Sequence, residues 1–204
     1  MIRLAASHPE WVLGFEDEVW FSRFALPRLH AWTTEKPLRV KQQEADKADP
    51  DPQAIALYGL LREDTGAMLL RFAPGRPVSA LTTQFLEWLL SELAKEGKQA
   101  LLMIWDNASW HKSREVRAWI KAHNQKVKQD GGCRLIVCAL PTRSPWLNNI
   151  EPKWMHGKRA VVEPEATLTA EDLKQRLCDY YNTGCASFRR HILRCPSVQC
   201  RGLD

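Results

Sequence analysis

Hydrophobic and polar residues alternate along this chain in two rhythms. In "EWVLGFEDEVWFSRF" a short apolar run passes into alternation with period two, which predicts a strand with Asp17 on the face of Leu13, Phe15 and Val19. "AIALYGLL" and "AMLLRF" flank "REDTG", a turn signal containing Gly66, so the two runs read as a hairpin. From residue 79 to 96 the period changes, with Leu81, Phe85, Trp88, Leu89 and Leu93 at helical spacing and Ser79 placed as an N-cap. "ALLMIW" is apolar throughout and stops at Asp106, as a strand covered on both faces does. A helix is expected from a Ser113 cap to about His123, with Val116, Trp119 and Ile120 facing inward. "NQKVKQDGG" reads as a charged linker and "CRLIVCAL" as a further buried strand. "LTAEDLKQRLCDYY" predicts a last helix, capped by Thr169 with Asp172 in its first turn.

Three antiparallel strands followed by two strands entered through helical crossovers make a mixed five-stranded sheet, because a helical crossover returns the chain in parallel. The expected class is α/β, with helices flanking the sheet. That is the layout of a ribonuclease H-like domain, although periodicity alone admits other α/β folds. "LRVKQQEADKADPDPQ", with its two Asp-Pro steps, reads as a long polar connector, and no internal repeat is present.

Composition narrows the class. A chain of 204 residues with 45% hydrophobic and 26% charged residues can build one ordinary core. No apolar run reaches the roughly 18 residues needed to cross a bilayer. "MIRLAASHPEWVLGF" lacks the apolar core of a signal peptide, so the expected location is the cytoplasm, in a bacterial cell the nucleoid. Cys133, Cys138, Cys178, Cys185, Cys195 and Cys200 are unevenly spaced, which favours reduced thiols over a disulfide framework. Cys185, His191, Cys195 and Cys200 can be drawn as a zinc site, but no Cys-x-x-Cys pair supports it. The net charge of +5 suits a phosphate partner, and the excess is local, in "KWMHGKR" and in "FRRHILR" near the end.

Asp17 falls toward the end of the first strand and Asp106 just beyond the fourth, where open α/β sheets place their ligand crevice. Two carboxylates meeting there repel unless a cation bridges them, and oxygen ligands suit magnesium or manganese. Glu151 lies in "LPTRSPWLNNIEPKW". Pro152 is tolerated in the first turn of a helix, so a cap at Asn148 or Asn149 would put Glu151 in that turn. Pro141 and Pro145 stiffen the approach, and Trp146 and Trp154 are expected to anchor the segment by burial.

"WDNASWH" followed by "LPTRSPWLNNIEPKW" resembles the second and third catalytic motifs of IS630/Tc1/mariner superfamily transposases, with Asp17-Glu18 as a short first motif. The resemblance implies a ribonuclease H-like DDE catalytic domain over residues 1–182, followed by a basic, Cys-containing tail over 183–204. It implies that Asp17, Asp106 and Glu151 are catalytic and hold two Mg2+ or Mn2+ ions. DNA cleavage at transposon ends and strand transfer into target DNA would follow, by a homodimer in the active complex. Asn107, His111, Lys153, His156, Lys158 and Arg159 are candidate DNA contacts; for His111 a place in the outer shell of the metal, or simple packing, is equally open.

Three departures from the family pattern are visible. Asn149 stands where proline is common, and the stretch from Asp106 to Glu151 is long, as if "NQKVKQDGG" extended a surface loop. Only 16 residues precede Asp17, so a helix-turn-helix reader is expected to be separately encoded or joined by frameshifting. Two other functions remain open: a DNA-binding or dimerising relic that regulates full-length transposase, and a host-adapted ribonuclease H-like nuclease.

Overall fold

A computed structural model describes residues 5–24, 30–31, 38–39, 46, 48–73, 76–142, 144–162 and 168–184. Five strands form one sheet: β1 (Trp11–Ser22), β2 (Ala54–Arg62), β3 (Met68–Ala73), β4 (Ala100–Trp105) and β5 (Arg134–Ala139), in the spatial order β3-β2-β1-β4-β5. β1, β2 and β3 pair antiparallel, whereas β4 and β5 join parallel to β1 and to each other. The helices are α1 (Ser79–Lys95), α2 (Arg114–Asp130), α3 (Glu151–Ala160) and α4 (Ala170–Tyr181). This mixed sheet flanked by helices is the ribonuclease H-like fold expected from the order of elements. Gly66 turns the β2–β3 hairpin at φ +68°, a conformation that costs glycine little.

Period-two alternation gives β1 two faces with different neighbours. Leu13, Phe15, Val19 and Phe21 join one core with Trp154, Leu173 and Leu177 of α3 and α4. Val12 joins a second core with Leu101, Met103 and Trp105, covered by Phe85 and Leu89 of α1 and Val116 of α2. β4 is buried at every position, as its unbroken apolar run predicts. In β5 only Leu135 is fully buried, because the strand lies at the edge of the sheet rather than inside it.

Several local expectations need correction. α1 is capped by the backbone of Val78 with no side-chain bond, and Ser79 is its first helical residue. Ser113 does cap α2, accepting from Val116 N, but the helix runs to Asp130 and absorbs most of the supposed charged linker. The reason is tertiary: His123 bonds to Cys133 O at 2.9 Å, and Asn124 accepts from Leu135 N at 2.9 Å and donates to Leu135 O at 2.8 Å. Extra residues between Asp106 and Glu151 therefore lengthen a helix, not a loop. Thr169 and Asp172 form the reciprocal capping box of α4. Cys133 and Cys138 are free, but Cys178 is disulfide-bonded, a proximity that linear spacing does not reveal. The tail lies outside the described residues beyond Gly184, and so do Cys185, His191, Cys195 and Cys200.

Candidate active site

The parallel pairing of β1 with β4 sets Phe15 opposite Ile104, and the same offset continued by two residues brings Asp17 level with Asp106. Asp106 stands just past the end of β4, but Asp17 lies in the middle of β1 and not toward its end as expected, because β1 goes on pairing with β2 as far as Ser22 after β4 has stopped. Glu151 is the first residue of α3, with Pro152 inside the first turn as expected. Its cap is Ile150, without a side-chain bond. Asn148 does not cap; it is buried, and its Nδ2 donates to Glu16 O at 3.1 Å, fastening the loop to β1 across 132 positions of sequence. Trp154 is buried, whereas Trp146 is 74% exposed, so only one tryptophan anchors the segment.

Asp17, Asp106 and Glu151 line one cavity of about 320 Å³ together with Asn107, Ser144 and Asn148. Burial pushes Asp17 up to about 7, and the nearby Glu151 and Glu18 carboxylates add to the shift, with Asp106 contributing less. Trp154 Nε1 donates to Asp17 Oδ2 at 3.0 Å and is the one side-chain donor to Asp17 among the described residues. The same tryptophan fills the space above Gly59, whose partner in the β1–β2 pairing is Asp17; a Cβ at Gly59 would sit 2.4 Å from the indole. Asp106 is held below the usual carboxylate range, first by the His111 hydrogen bond, while burial opposes that effect. The carboxylate of Glu151 has no hydrogen bond among the described residues. The chemistry of this donor set, three convergent carboxylates of which Asp17 is pushed toward neutrality first by burial and then by its acidic neighbours, fits a hard divalent cation.

The other face of β1 builds a different cluster. Glu16, Glu18 and His111 bring ligand-type atoms within 4.8 Å of one another, with Glu16 and His111 buried. Burial raises Glu16 well above the usual carboxylate range; its two oxygens have no hydrogen-bond partner among the described residues, and His111 Nε2 lies 3.4 Å from Oε2. For His111 burial opposes the charge, but Glu16, Asp106 and Glu18 overcome it and hold the imidazole up to about 11. His111 is 3% exposed with both ring nitrogens facing carboxylates, so the structure does not offer it to a DNA backbone. Asn107 lines the cavity and donates to Leu140 O. Lys153, His156, Lys158 and Arg159 are all exposed on α3 beside Glu151. The sequence reading missed Trp154 as a partner of Asp17 and Asn148 as a strap on β1; both contacts depend on long-range folding.

The model of the DDE superfamily endonuclease family matches residues 15–174, a span that includes all three carboxylates. The chain belongs to the DDE superfamily of endonucleases. Among curated proteins none matches it. Solved structures similar to this DDE chain include the catalytic domain of Mos1 mariner transposase, at TM-score 0.56 and 16% identity over 90% of this chain and 76% of that one. The Mos1 mariner paired end complex with Mn has TM-score 0.62 and 14% identity, covering 84% of this chain and 48% of that one. The Mos1 strand transfer complex has TM-score 0.57 and 14% identity, covering 90% and 50%. At these identities the likeness establishes the ribonuclease H-like fold, and the chain spans about half the length of the Mos1 chains in those complexes.

Proposed function

We propose that this DDE domain cleaves DNA phosphodiester bonds with divalent cations held by Asp17, Asp106 and Glu151, as the catalytic part of an IS630-like, Tc1/mariner-type transposase that also transfers strands into target DNA. The observation that carries the reading is the convergence of three carboxylates, from three distant stretches of the family-matched region, on one cavity. Bound Mg2+ or Mn2+, two ions in the general scheme, would supply an activated water or 3′-hydroxyl and neutralise charge at the phosphate. The chain's own share is positioning: β1 and β4 fix the aspartates, and Asn148 and Trp154 hold the start of α3 so that Glu151 completes the set. Lys153, His156, Lys158 and Arg159 would grip the DNA backbone by charge, and Asn107 would meet it at the cavity wall. Homodimerisation, a helix-turn-helix reader as partner and a cytoplasmic location belong to the same proposal. The Mos1 complexes with Mn and with transposon ends support it by likeness of fold.

Purified protein incubated with Mn2+ and transposon-end or supercoiled DNA tests the reading. Nicking by wild type that Asp106→Asn and Glu151→Gln abolish is expected. Equal nicking by all three would mark a contaminant and end the enzymatic claim, and DNA binding without cleavage would favour the regulatory relic.

A further inference from the structure

The two oxygens of Asp106 are treated unequally. Oδ1 accepts from Ala108 N at 2.8 Å and from His111 Nδ1 at 3.0 Å, whereas Oδ2 accepts from no donor among the described residues. One oxygen is thus committed to the protein, and the other is left to the cavity that Asp106 lines.

His111 is in turn fixed on several sides. Its ring stacks on Trp105, with centroids 4.3 Å apart and planes within 6°, and meets the edge of Trp110 at 6.0 Å. Its Nε2 donates to Glu18 Oε1 at 3.1 Å, an oxygen that also accepts from Trp110 Nε1 at 2.7 Å. Rotating the imidazole would break the stack and both carboxylate bonds together. Glu18 directly follows Asp17, so the ring ties the middle of β1 to the residue just past β4 from behind the cavity.

We propose that His111 is a positioning residue, a clamp that holds Asp106 Oδ1 so that Oδ2 faces the divalent cation, in register with Asp17 through Glu18. The proposal rests on the reading of Asp106 as a metal ligand. It gives His111 a task behind the site in place of a contact with DNA. Hydrogen-bonded partners of metal ligands set ligand orientation, and losing one typically weakens metal binding about 10–100-fold.

Two substitutions divide the clamp. The amide nitrogen of asparagine superposes on the position of Nδ1, and that of glutamine on Nε2, so His111→Asn retains the bond to Asp106 and His111→Gln the bond to Glu18. The readout is the Mn2+ dissociation constant of the metal-free full chain, followed by electron paramagnetic resonance of free Mn2+, with thermal unfolding as a check that each variant folds. His111→Gln is expected to weaken Mn2+ binding about tenfold or more, and His111→Asn to stay within about threefold of wild type. Wild-type affinity in folded His111→Gln, or a tenfold loss in folded His111→Asn, overturns the clamp, and the second result decides even if the glutamine variant does not fold. Asp106→Asn separates the levels: if it binds Mn2+ as wild type does, the metal-ligand reading itself fails and takes the clamp with it. If it loses Mn2+ while His111→Gln does not, only the clamp fails.

Discussion

Three consecutive acidic residues on β1 meet opposite fates. Asp17 faces a cavity shared with Asp106 and Glu151, where one of its oxygens takes a bond from Trp154. Glu16 and Glu18 face the other way, into a closed cluster around His111, and Glu16 is 1% exposed. Identical functional groups one residue apart are thus divided between an open site and a sealed one by strand alternation alone. A carboxylate is available for chemistry when its repulsion has been left for a ligand to relieve. Around Asp17 the neighbours are other carboxylates, whereas an imidazole already answers Glu18.

The sharpest way to break this comparison is to neutralise each side in turn. Asp17→Asn should lower DNA cleavage by about a thousandfold or more, the scale of several kcal/mol at a transition state. Glu16→Gln should leave cleavage intact, since that side chain does not line the cavity. Equal losses in a plasmid-nicking assay would show that the two sides of β1 are not functionally distinct.

A packing change tests how far the open side depends on its anchor. Gly59→Ala places a methyl 2.4 Å from the Trp154 indole, and overpacking of this kind costs about 1–3 kcal/mol. Denaturant unfolding should show that loss, and Mn2+ affinity should fall with it because Trp154 carries the hydrogen bond to Asp17.

The pH response sharpens the contrast further. Asp17 titrates near 7, well above an unfolded aspartate, so the stability it contributes is present at low pH and is lost as pH rises from about 4 through 7. A cation replaces that proton. Below 7 the proton competes and the apparent Mn2+ affinity should drop by up to about tenfold per pH unit. Mn2+ should therefore raise the melting temperature more at pH 8 than at pH 6, and Asp17→Asn should flatten the difference. A metal-induced shift independent of pH would place the cation elsewhere.

The smallest expected effects lie on α3. Single alanine substitutions at Lys153, Lys158 and Arg159 should weaken binding to all DNA sequences alike and reduce the salt dependence by about one phosphate contact each. Unchanged salt slopes in a binding titration would take DNA off this helix.

Much of this was legible in the sequence. The order of strands and helices followed from a change of period between two and 3.6. Asp106 was placed by the end of its strand and Glu151 by Pro152 in a first turn, whereas Asp17, expected toward the end of β1, lies in its middle because β1 runs on alongside β2. What escaped notice was set by contacts between remote segments. Asn148 has the composition of a cap, yet it serves as a strap because Glu16 O lies within its reach. Trp146 and Trp154 are the same residue type eight positions apart, and only the packing of α3 on β1 and β2 decides which is buried. The length of α2 was hidden because its last turns carry few apolar residues and are secured by Asn124 on β5. His111 had one available signal, a histidine in the turn after an apolar strand ending in a carboxylate.

That bond from Asn124 has a consequence for assembly. An outer strand normally exposes unpaired amide and carbonyl groups that invite another chain to add itself to the sheet. Here a side-chain amide occupies both groups of Leu135, mimicking a neighbouring backbone. At that point the β5 border of the sheet is already sealed against the addition of a further strand.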